Sequence, residues 1–152
     1  MTRHSTGNLK TCIYAAKQFL EVAEMIVGDV RLIRPFFVNA GLSCELFLKA
    51  IQMIENSDNT FCTGHNLNDL FSGISEAARI SITNIYDGYC LNGKVGKDLN
   101  TVLSDYPNPF VDFRYTFERS AEGNIFALAA FANSLQAFTE TISPFECEIT
   151  IS

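Results

Sequence analysis

Apolar positions recur at helical spacing along most of this chain. Leu9, Ile13, Ala16, Leu20 and Ala23 step by four and three residues and predict a helix from about Asn8 to Val27, stopped by Gly28-Asp29. A second stripe, Phe37, Ala40, Cys44, Leu48 and Ile51, predicts a helix that starts near Pro35 and ends at Asn56-Ser57-Asp58-Asn59. Proline's fixed φ suits a first helical turn. Gly41 and the small residues around it mark a level where another helix comes close. Asn66 is placed to cap a third helix, with Asp69 favouring its positive end. Leu67, Leu70, Phe71, Ile74, Ala77 and Ala78 carry that period on toward Tyr86.

The rhythm then changes. A glycine-containing connector, Gly88 to Gly96, leads to a short amphipathic piece around Leu99 to Tyr106, and Pro107-Asn108-Pro109 breaks regular structure. Phe110 to Glu118 alternates like a strand, but between a double-proline turn and a long helix it reads as an ordered extended loop. The last helix is expected from about Asn124 to Ser143. Its seam, Leu128, Phe131, Leu135, Phe138 and Ile142, steps three, four, three, four. The first half of this helix is apolar on every side and calls for burial, within the bundle or against a second subunit. The tail, Glu146 to Ser152, alternates as a short strand would. Four or five helices joined by short loops, without two convincing strands, predict one all-α domain over residues 1–152, an up-and-down helical bundle.

Composition narrows the function. Hydrophobic residues make up 47% of the 152 and charged residues 18%, which excludes disorder and allows a full core. A formal net charge of −6 argues against wholesale capture of nucleic acid, which needs lysine and arginine to displace phosphate counterions, so any basic site is small and local. The five cysteines (12, 44, 62, 90 and 147) form no Cys-x-x-Cys pair, and the two histidines, His4 and His65, lie far apart in sequence. This reads as small core residues in a reducing cytosol, with no disulfide framework, no metal site and no cofactor. The polar start, Met1 to Gly7, is no signal peptide, and the longest apolar run, Ile125 to Ala132, is far short of the ~20 residues of a spanning helix. A cytoplasmic protein that does not engage a membrane is expected.

The few charges set among apolar neighbours are the candidates for chemistry. Glu45 and Lys49, four apart in the favourable order, form either a surface ion pair or, with Gln52, a narrow polar stripe facing a cleft or another subunit. His65, just before the Asn66 cap, either fixes its loop by hydrogen bonds or serves in proton transfer or phosphate contact. Arg114, Tyr115 and Glu118 lie on the proline-anchored segment, where Arg114 would hold a phosphate or pair with a carboxylate such as Glu45. Gly93-Lys94-Val95-Gly96-Lys97 lacks the spacing of a phosphate loop and reads as a flexible basic loop. Two isolated histidines leave little room for a Ser-His-Asp or Cys-His arrangement.

Leu42-Ser43-Cys44-Glu45-Leu46-Phe47-Leu48-Lys49, Gly64-His65-Asn66-Leu67 and Arg114-Tyr115-Thr116-Phe117-Glu118 together resemble the HEPN superfamily, the higher-eukaryote and prokaryote nucleotide-binding domains. The likeness is to the branch with a Leu-Ser-x-Glu-Leu-x-Leu-Lys helix, a Gly-His-x-Leu turn and an Arg-Tyr-x-x-Glu segment. It implies a helical bundle that often dimerises. Members of that superfamily act as metal-independent RNases in toxin–antitoxin and phage-defence systems, as partners of minimal nucleotidyltransferases, or as non-catalytic RNA-binding modules. Catalytic members carry Arg-x(4–6)-His near the start of the last helix. Here Arg119 is followed at that distance by Asn124, and Arg34…Asn39 and Arg79…Asn84 share the spacing. Asparagine does not shuttle protons near neutral pH.

The resemblance therefore implies a non-catalytic, HEPN-like binding module for RNA or a nucleotide, a homodimer through its apolar helices, with Glu45, Lys49, His65, Arg114, Tyr115 and Glu118 meeting in one patch. The alternative is an RNase using Arg114 or Arg119 with His65. A nucleotide or small-molecule pocket inside the bundle is a third class.

Overall fold

The computed structural model describes residues 4–91, 97–109 and 125–145, and these are mostly helical. In chain order the elements are β1 (His4–Thr6), α1 (Leu9–Ile26), α2 (Ile33–Glu55) entered through a 3-10 turn at Val30–Leu32, β2 (Thr60–Cys62), α3 (Leu67–Ser72), α4 (Glu76–Leu91), α5 (Leu99–Asp105) and α6 (Ile125–Ile142). The Arg114-Tyr115-Thr116-Phe117-Glu118 segment, Arg119, the Gly93–Gly96 loop and the Glu146–Ser152 tail lie outside the described residues.

Capping chemistry sets the boundaries. The Asn8 side chain accepts from Thr11 N at the start of α1, and Gly28, at φ 84°, supplies the left-handed residue that ends the chain's first pass. Asn66 caps α3 through Asp69 N, and Asp98 caps α5 through Thr101 N. Pro35 sits in the first turn of α2, two residues after that helix begins.

The central helix is α2. It packs along α1 on one side and α6 on another, while α4 packs on α6. Phe36, Phe37, Ala40, Cys44, Phe47, Leu48 and Ile51 are all buried on it. The small residues near Gly41 do bring a helix close: Ser43 donates its hydroxyl to the Ala16 carbonyl of α1 at 2.8 Å, fully buried. From α6 the seam residues Leu128, Phe131 and Leu135 enter the core, with Phe138 and Ile142 partly covered. The buried hydroxyls of Ser134 and Thr139 bond back to carbonyls one turn earlier, which lets a polar atom sit in an apolar helix. Phe126, by contrast, is 55% exposed, so the apolar first half of α6 is not enclosed on every side. The segment Val30–Glu55 is long and apolar enough to cross a membrane by composition, and its most apolar window is 72% buried inside this bundle.

Two expectations need correction. The helix expected from Leu67 toward Tyr86 is two helices, which gives six among the described residues. Gly73 caps the end of α3, and Ser75 restarts the chain, its hydroxyl accepting from Ala78 N and its own N–H donating to Glu55 Oε1. The buried stripe after the break is Ile74, Ala78, Ile82 and Tyr86, and Ala77 faces outward. There is also a two-stranded antiparallel ribbon, pairing His4 with Cys62, Ser5 with Phe61 and Thr6 with Thr60.

Gly73 is required for space. A Cβ there would lie 2.8 Å from Gln52 Nε2 and 3.3 Å from the Leu70 carbonyl. Glycine-to-alanine at a negative φ such as this one, −81°, normally stabilises by about 0.4–1 kcal/mol. Here Gly73→Ala is expected to destabilise by about 1–3 kcal/mol, because it pushes a buried, hydrogen-bonded amide aside. A thermal or urea melt checks the sign.

Candidate functional site

Glu45, Lys49 and Gln52 fall on one face of α2, on successive turns, because residues three and four apart share a helix face. All three are buried, Glu45 to 4%, Lys49 to 7% and Gln52 to 2% exposure. The stripe predicted from sequence is therefore present, and the surface ion pair is not. It faces the chain's own β2–α3 segment.

The contacts explain how charge is tolerated there. Lys49 Nζ lies 3.3 Å from Glu45 Oε2, and His65 Nδ1 lies 2.7 Å from Glu45 Oε1. Lys49 Nζ also sits 5.6 Å from the centre of the Phe61 ring, which offers its negative face to the cation. One carboxylate thus joins a lysine of its own helix to a histidine of the loop that leads into α3. Gln52 continues the seam: its Nε2 donates to the Leu70 carbonyl at 3.0 Å, and its Oε1 accepts from Cys62 N at 2.8 Å. Among the described residues no buried side-chain nitrogen or oxygen lacks a partner. Buried polar groups must be satisfied, and this network is.

His65 is the member that reaches the surface, with its side chain half exposed while Glu45 and Lys49 remain covered. Donation of Nδ1–H to the carboxylate fixes the ring's orientation. The contact to Glu45 ties the His65 loop to α2. α3 has only six residues and is too short to act as an anion site through its own N-terminus. Cys12, whose thiol donates to the Leu46 carbonyl, borders the cluster. Burial pushes that thiol up to about 11, with Lys49 opposing the rise and Glu45 adding to it, so it stays protonated and unreactive.

Of the predicted set, Glu45, Lys49 and His65 are brought together across 20 residues of sequence. Arg114, Tyr115, Glu118 and Arg119 belong to the segment outside the described residues. Phe61 and the Cys62 amide are further parts of the network that the sequence does not point to. Neither carried a local signal, because both are placed by β-ribbon pairing to the chain's start. Away from this cluster, Cys62 Sγ stands 3.8 Å from His4 Nε2 across the ribbon.

A groove of about 430 Å³ lies elsewhere, between the ends of α1, α4 and α6, lined by Glu24, Val27, Tyr89, Phe126, Ala129 and Asn133 among others. It contains none of the charged cluster. Among the described residues no three His, Cys, Asp or Glu side chains converge as a metal ion would need. No family model, curated protein or solved structure matches this chain.

Proposed function

We propose that this protein is a non-catalytic, HEPN-like binding module of the cytoplasm that engages RNA or a nucleotide around His65, in a toxin–antitoxin or phage-defence setting. The observation that supports it is the Glu45-backed imidazole at the outer edge of an otherwise enclosed ion cluster. An oriented imidazole beside a buried lysine is suited to contact a phosphate or a ribose hydroxyl. A local contact of this kind also fits a chain whose net charge is −6. Met25 and Val30, both well over half exposed, would supply apolar surface for a second copy.

A second reading, metal-independent RNA cleavage using His65 with Arg114 or Arg119, is favoured by the same carboxylate–imidazole contact, since a base held by a carboxylate is how many acid–base sites are built. One titration separates the two. Fluorescence anisotropy with labelled structured RNA in metal-free buffer, run beside a gel for products, is expected to show binding without cleavage. His65→Ala should weaken that binding about tenfold or more. Equal binding by both proteins sinks the module reading, and cleavage lost in the variant would establish the enzyme.

A further inference from the structure

The ribbon joins two reactive groups that the ion cluster does not use. His4 and Cys62 are directly opposite partners in the β1–β2 pairing, and their side chains meet with Nε2 3.8 Å from Sγ. His4 is exposed and Cys62 partly so. Asp58, on the turn before β2, accepts from Thr60 N and Thr60 Oγ1, and these bonds hold its carboxyl below the usual range. A thiol and an imidazole thus meet on one edge of the ribbon.

We propose that Cys62 and His4 form a thiol–imidazole pair that reacts with small disulfides, making Cys62 a site of reversible mixed-disulfide modification. His4 Nε2 takes the thiol proton, and Cys62 Sγ attacks one sulfur of the incoming disulfide. That S–S bond breaks as the new one forms, and the departing thiolate takes the proton back from His4. The incoming disulfide is the only oxidant, and one thiol leaves for each one consumed.

The other described cysteines are built differently. Cys44 is fully buried, and burial raises its thiol far above the ordinary value. Cys12 donates to a carbonyl and is pushed up to about 11. Cys90 points at the Lys97 carbonyl and is raised by desolvation with Asp87 and Asp98 adding to it. They serve as internal standards.

An ordinary thiol of pKa ~8.5 is only a few per cent thiolate at pH 7, so full activation cannot exceed about thirtyfold. The full-length protein is exposed to oxidised glutathione, quenched with acid, and mapped by mass spectrometry. At pH 7 Cys62 is expected to react about tenfold faster than Cys90, while the buried Cys12 and Cys44 stay unmodified. His4→Gln should slow Cys62 about five- to tenfold at pH 7 and leave its rate unchanged at pH 10, where a thiol ionises unaided. Cys44 remaining unreactive reports that the variant is folded. If Cys62 is no faster than Cys90 in the unaltered protein, an arm that needs no variant, the proposal fails. It also fails if His4→Gln changes nothing at pH 7, or slows the reaction equally at both pH values as a purely structural role would.

Discussion

Replacing Glu45 with alanine is expected to lower the unfolding free energy by about 3–5 kcal/mol. The carboxylate is 4% exposed and holds Lys49 at 3.3 Å and His65 at 2.7 Å. Its removal leaves an ammonium in a site 7% open to water, with the Phe61 ring 5.6 Å away as partial compensation. Lysine has a long stem, and part of the loss would be relieved if Nζ swung outward. Urea denaturation monitored by circular dichroism measures the change, which should appear as a lower midpoint at unchanged slope. The paired substitution Glu45→Leu with Lys49→Met should recover most of it, because breaking a buried pair is far more costly than exchanging it for apolar residues of similar volume. A loss below about 1 kcal/mol for Glu45→Ala is what a solvated surface pair gives, and it would contradict the enclosed network.

The second large effect tests the register of α6. Phe131 is fully buried, with its ring edge-on to Phe71 at 6.0 Å between centres, and Phe131→Ala should cost about 3–5 kcal/mol through lost burial and the cavity left behind. Five residues earlier on the same helix, Phe126 is 55% exposed, and Phe126→Ala should fall within about 0.5 kcal/mol of the parent. Both are phenylalanines in one unbroken apolar run, so composition cannot tell them apart. Comparable losses for the two would mean that α6 is rotated from the orientation described, or that Phe126 is covered by another copy of the chain.

Much of the bundle was legible because its signals are local. Asn8 and Asn66 cap the helices they precede, and the stripes of α1, α2 and α6 are the faces that pack. The third helix was misread because apolar periodicity survives its interruption. Ile74 is buried within the break itself, so the rhythm runs on while Gly73 and Ser75 turn the backbone. Reading Ser75 as a cap, one residue before Glu76, would have found it. The ribbon had no such cue: its strands are three residues each, polar or mixed, and their pairing spans more than fifty positions. That also hid the Cys62–His4 contact. Within the charged set, Glu45, Lys49 and Gln52 could be read as one stripe from helix geometry. The approach of His65 could not be derived from spacing, because it depends on how the turn after α2 folds back on that helix.

The ribbon also bears on the order in which the chain assembles. Strand β1 precedes α1 and β2 follows α2, so pairing them directly from the unfolded chain means closing a loop of about fifty residues for three short rungs. Once α1 and α2 have zipped against each other as an antiparallel hairpin, both strands already stand at the same end and little entropy remains to be lost. The rungs then behave as a latch on a door already shut, the last to engage in folding and the first to let go. The amino end can lift away while the helices behind it stay closed.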